Sequence, residues 1–66
     1  MTPKYDNVTV TLAGQDGNAF AVMAKVSSAL RKEGVSEDDV QQYISESMSG
    51  DYDHLIVTAM KWVNVS

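Results

Sequence analysis

The chain has no cysteine and a single proline, so disulfide staples and thiolate zinc sites are excluded and packing alone must hold the fold. With only 66 residues it has room for one domain, because two halves would each bury too little apolar surface to offset chain entropy. No stretch approaches the ~20 apolar residues of a membrane span. The opening Met1-Thr-Pro-Lys-Tyr-Asp-Asn7 has no apolar run of signal-peptide length. These absences lead to the expectation of a soluble, cytoplasmic protein. The most informative absence is of positive charge: no Lys or Arg lies between Glu33 and Asp53. That window holds seven of the nine acids, Glu33, Glu37, Asp38, Asp39, Glu46, Asp51 and Asp53, and carries −7, while the remainder, with two acids and five bases, carries +3.

What is present is an ordinary globular composition, 44% hydrophobic and 21% charged, which places the chain among folding rather than disordered sequences. Val8, Val10 and Leu12 alternate with Thr9 and Thr11, the period of a half-buried strand, here read over Asp6 to Ala13. A turn at Gly14-Gln-Asp-Gly17 leads to Asn18, a residue suited to cap a helix running from Ala19 to about Glu33. Phe20, Met23, Val26 and Leu30 give that helix its apolar face, with Lys25, Ser28 and Lys32 opposite. Gly34 suits the left-handed position past a helix end, and Val35 the hydrophobic contact that accompanies it.

Ser36-Glu-Asp-Asp39 then reads as a capping box in which the Ser36 hydroxyl and the Asp39 carboxylate each take an orphan N–H. The second helix presents Val40, Tyr43, Ile44, Ser47 and Met48 inward and Asp38, Asp39, Gln42, Ser45, Glu46 and Ser49 outward, and Gly50 ends it. A second capping cluster, Asp51 to His54, precedes a segment whose type is ambiguous from Leu55 to Met60. Ile56, Val57 and Thr58 favour a strand, whereas Leu55, Ala59, Met60 and the Asp cap favour a helix to about Lys61. Trp62 to Val65 is read as a closing strand beside the first. The expected fold is a small α+β domain in β-α-α-α-β order, a two-stranded sheet packed against helices. Its expected core is Val8, Val10, Leu12, Phe20, Met23, Val26, Leu30, Val40, Ile44, Leu55, Ala59 and Val63.

The acids have two readings. Glu37, Asp38 and Asp39 sit in a helix's first turn, where the macrodipole favours negative charge by ~0.3–1 kcal/mol each, and Asp51 or Asp53 can cap the next helix. That local logic explains the acids but not the missing bases. Acids three or four apart on a helix also lie ~5–6 Å from one another, close to the spacing of phosphates along a nucleic-acid strand, so an outward set can imitate a phosphate row to a basic groove. The candidate partner-binding residues are Asp38, Asp39, Glu46, Asp51 and Asp53.

Other constellations are weaker. Asp51, Asp53 and His54 are too adjacent to complete a metal sphere, and neither they nor Asp16-Gly-Asn18 fit an EF-hand loop. His54 with nearby serines and acids can be written as a triad, but there is no nucleophile-elbow pattern. The glycines lack the spacing and lysine of a phosphate-binding loop. Tyr5, Tyr43, Tyr52 and Trp62 lie in acidic surroundings that repel phosphates. No enzyme activity, cofactor, metal or direct nucleic-acid binding is expected.

Gly14-Gln-Asp-Gly-Asn-Ala-Phe20 and Ser49-Gly-Asp-Tyr-Asp-His-Leu55, with Met60-Lys-Trp-Val63 behind, resemble a family of short proteins encoded by phages and other mobile elements. That family brings no activity or site residue with it. In size, charge and kind of source the chain is similar to anti-CRISPR inhibitors, some of which block nucleic-acid grooves of host defence complexes. The resemblance implies an acidic inhibitor that binds a basic surface of a host nucleic-acid-handling complex, such as a CRISPR effector subunit, with a monomer favoured over a homodimer. The alternative is a small adaptor acting through an apolar, self-associating interface built on Trp62, Tyr52 and the methionines.

Overall fold

Alternation of Val8 and Val10 with Asn7 and Thr9 builds β1 (Tyr5–Val10), since successive strand side chains point to opposite faces and only one face meets the core. A computed structural model describes residues 2–12 and 18–66. The expected turn at 14–17 and the strand end at Ala13 lie outside them. β1 starts one residue before the expected Asp6, and its pairing continues past Val10 through Leu12, whose N–H donates to the Ser66 carbonyl at 3.2 Å.

α1 (Ala19–Lys32) begins where Asn18 Oδ1 accepts the Ala21 N–H at 3.0 Å. It ends in a left-handed cap at Gly34, whose φ is 84°. The Gly34 N–H donates to Arg31 O at 3.0 Å and the Val35 N–H to Leu30 O at 3.1 Å, the paired bonds that close a helix through a glycine. Val35 then packs on the core. α2 (Glu37–Ser47) follows with Ser36 Oγ accepting the Asp39 N–H at 3.3 Å. α3 (Tyr52–Trp62) starts with the Asp51 carboxylate accepting the His54 N–H at 2.9 Å. The segment from Leu55 to Met60 is therefore helical.

β2 (Val63–Val65) runs parallel to β1, with Tyr5 beside Val63, Thr9 beside Asn64 and Val10 beside Val65. The extra β1 residues between Tyr5 and Thr9 form an irregular bend. The chain is thus an α+β domain in which the two-stranded sheet packs against three helices. Among the described residues no helix is long and apolar enough to cross a membrane.

The main core joins Val8, Val10, Val26, Leu30, Val40, Tyr43, Ala59, Trp62 and Val63, and a second cluster joins Val22, Met23 and Leu55. Trp62 is the main departure from the sequence reading. α3 continues one residue past Lys61, so Trp62 is the last residue of the helix and not the first of the closing strand, and its side chain is buried at 3% exposed. Its ring stacks on Tyr5 with centroids 5.9 Å apart and meets Tyr43 edge-on at 5.7 Å. Leu12 and Ile44 are only half-buried. Phe20 is 75% exposed and Met48 60% exposed, both against expectation. Phe20 occupies the first turn of α1, and Met48 lies just past the last residue of α2, whose inward place is taken by Ser47.

Candidate functional site

The five candidate acids divide by what reaches them. Asp38 and Asp53 are exposed in the first turns of α2 and α3, and Asp51 is exposed while capping α3. Asp39 and Glu46 do not point freely outward. Asp39 lies one turn before the buried Tyr43, at the edge of the inward stripe, where its carboxylate accepts the Tyr5 phenol instead of returning to the Ser36 N–H. That bond, with lesser help from burial and from the carboxylate's charge, raises the Tyr5 pKa. Glu46 is half-buried, and its Oε2 accepts the Trp62 indole N–H at 3.4 Å. Two of the five acids therefore hold β1 and α3 against α2.

The window is also less unopposed in space than in sequence. The corner at Gly34 carries Arg31 back to Glu37, and Nε and Nη2 each donate to one carboxylate oxygen at 2.9 Å. Gln41 adds a third donor at 2.9 Å. The guanidinium first, then Gln41, holds the Glu37 pKa down to about 2 from an ordinary 4.5. A depressed carboxylate pKa stabilises the fold fully above about pH 4.5 and loses that contribution as pH falls toward 2. The pair is exposed, so the effect is small. Replacing Glu37 with Gln should flatten the wild-type loss of stability between those pH values, as followed by urea midpoints. An unchanged slope would assign acid sensitivity elsewhere. Lys4 provides a second cation, its Nζ 4.5 Å from the Trp62 ring centroid.

A different surface emerges where the three helices meet. Ala19, Phe20 and Met23 of α1, Met48 and Gly50 after α2, and Asp51, Tyr52 and Leu55 at the start of α3 line an apolar cleft of about 210 Å³. Phe20 and Met48 stand at it with most of their surface in solvent. Gly50 allows this corner to close, because a Cβ there would sit 2.7 Å from His54 Cγ. Periodicity assigned Phe20 to the core and Met48 to the inward stripe of α2 because it shows which side of a helix a residue takes but not whether a neighbour extends far enough to cover it.

His54 fastens the same corner. Its Nε2 lies 3.0 Å from the Glu46 carbonyl, which can only accept, so this nitrogen carries the proton. The Ser49 hydroxyl donates to that same carbonyl at 2.7 Å, and Asp51 takes the His54 backbone N–H rather than the ring. Ser49 Oγ also lies 3.0 Å from His54 Nε2, but with that nitrogen protonated toward the Glu46 carbonyl and the Ser49 hydroxyl donating to the same carbonyl, serine, histidine and aspartate are arranged here as helix caps. Among the described residues no group of three or more His, Asp or Glu side chains is placed to hold a metal ion. No protein-family model matches this chain, and no curated protein or solved structure shows significant similarity to it.

Proposed function

We propose that the protein is a non-enzymatic binding module that takes an apolar side chain of a partner protein into the cleft beside Phe20, Met48 and Tyr52. The observation that carries this reading is Phe20, a large aromatic side chain 75% exposed at the mouth of an apolar cleft, where burial against a partner is worth roughly 1.5–3 kcal/mol. Asp51 lines the cleft and Asp53 follows in the same helical turn. The last turn of α2 has no basic residue to neutralise its carbonyl end. These features favour a partner segment with Lys or Arg beside its apolar anchor. Trp62 has no part in this surface, being already enclosed by Tyr5 and Tyr43.

A second reading keeps charge as the main attraction: an inhibitor that covers a basic groove of a host nucleic-acid-handling complex, as anti-CRISPR proteins do. Asp38, Asp51 and Asp53 support it, since all three are exposed and, among the described residues, the ion pair is Arg31 with Glu37. Affinity capture from host lysate separates the two readings when Phe20→Asp and the double variant Asp38→Lys/Asp53→Lys are compared with wild type. Phe20→Asp should weaken capture of the principal partner by roughly tenfold to a hundredfold, and the charge reversal by less. Unchanged capture by Phe20→Asp would eliminate the cleft, and loss confined to the charge-reversed variant would favour the inhibitor.

A further inference from the structure

We infer that the outer edge of β1 is a self-pairing surface, joining two copies of this chain antiparallel through Val8 to Leu12 and merging their sheets into one of four strands.

The Ser66 N–H donates to Val10 O at 2.9 Å and the Leu12 N–H donates to Ser66 O at 3.2 Å, and Val10 lies beside Val65 in the parallel register. Strand residues direct their backbone groups alternately to the two edges. Val8, Val10 and Leu12 therefore bond toward β2, and the N–H and C=O of Thr9 and Thr11 face the other way. Among the described residues the strand paired with β1 is β2, on the side away from the Thr9 and Thr11 backbone groups. Strand edges in stable monomers are commonly blunted by Lys, Pro or an inward charge. Val8-Thr-Val-Thr-Leu12 has none of these, and the register with β2 is regular from Thr9 to Val10.

A second copy of the same strand satisfies the edge in one register. With the two-fold axis at Val10, Thr9 of each copy faces Thr11 of the other, and all four residues present outward groups to one another. Val10 meets its own counterpart and Val8 meets Leu12, so both core faces lie on the same side and continue across the junction. The hydroxyl-bearing side chains stay on the solvent face, where Thr9 and Thr11 already lie exposed and where Thr–Thr pairs are favourable. No charged residue falls within the paired segment, and the segment lies outside the −7 window, so like charges are not apposed. The main-chain contact is short, which points to a weak dimer forming at high protein concentration. Because each chain carries −4, added salt should strengthen it by screening, the reverse of what salt does to a basic partner at the cleft.

The absence of native cysteine gives a direct test. Thr9→Cys and Thr11→Cys variants, mixed in equal amounts and mildly oxidised, should form a mixed disulfide dimer well ahead of either variant alone. Facing positions on paired strands fall within disulfide reach, whereas positions of the same number are offset along the strands. Ser28→Cys, on the exposed side of α1, measures random collision. Mixed linking no faster than this control rejects the dimer, and preferential self-linking of either variant rejects the register. In sedimentation, wild type should show concentration-dependent dimer. Thr9→Lys/Thr11→Lys, with circular dichroism confirming its fold, should weaken that dimer roughly tenfold by placing like charges opposite one another. A monomeric wild type at high salt and concentration also overturns the proposal.

Discussion

Replacing Trp62 with Ala is expected to leave the protein largely unfolded. Deleting a buried Trp costs about 3–5 kcal/mol, and a domain of this length has roughly 3–10 kcal/mol of stability in total. The cost should fall at the upper end because one side chain serves several elements. The indole stacks on Tyr5 of β1, meets the edge of Tyr43 in α2, and donates its N–H to Glu46. Lys4 lies over its face. Trp62→Phe keeps a ring but loses the donor and should remain folded, about 1–2 kcal/mol less stable. Circular dichroism under urea measures both variants, and in wild type the single tryptophan should shift its emission to the red over the same transition. A Trp62→Ala variant retaining most of the wild-type stability would show that the aromatic cluster is not the centre of the core.

The features that were legible in the sequence are those in which a residue acts on its own backbone neighbourhood. Asn18, Ser36 and Asp51 cap the helices expected of them, and Gly34 takes the left-handed turn with Val35 folded behind it. The same logic resolves the ambiguous Leu55 to Met60 in favour of the Asp cap over β-branched propensity. Long-range partners were not legible. Helical spacing reads Asp39 and Glu46 as outward, and it is the arrival of Tyr5 and Trp62 beside them that turns them into acceptors. Arg31 lies two residues outside the acidic window and still reaches Glu37, because Gly34 reverses the chain between them. Parallel pairing was hidden for another reason. The chain passes from Trp62 to Val63 without a loop, so counting reversals of direction cannot fix how β2 enters the sheet.

Alkaline titration should unfold the domain, with Tyr43 as the main cause. Burial raises its pKa, opposed slightly by the Ser47 hydroxyl. That hydroxyl nonetheless falls outside hydrogen-bond geometry and leaves both oxygens without a partner. A phenol whose folded pKa exceeds its unfolded value stabilises the fold fully below about pH 10. It loses that contribution as pH climbs through the folded value, by about 1.4 kcal/mol per pH unit between the two. Tyr5 titrates in the same direction, since ionisation removes the proton it donates to Asp39. The two tyrosines should nevertheless respond oppositely to loss of the hydroxyl at neutral pH. Tyr43→Phe removes a buried oxygen with no partner and should be neutral or stabilising by up to about 1 kcal/mol, whereas Tyr5→Phe strips Asp39 of its donor and should destabilise. Urea midpoints at pH 8, 10, 11 and 12 should show a shallower alkaline limb for Tyr43→Phe. If its limb superimposes on that of wild type, ionisation of the buried phenol does not drive the transition.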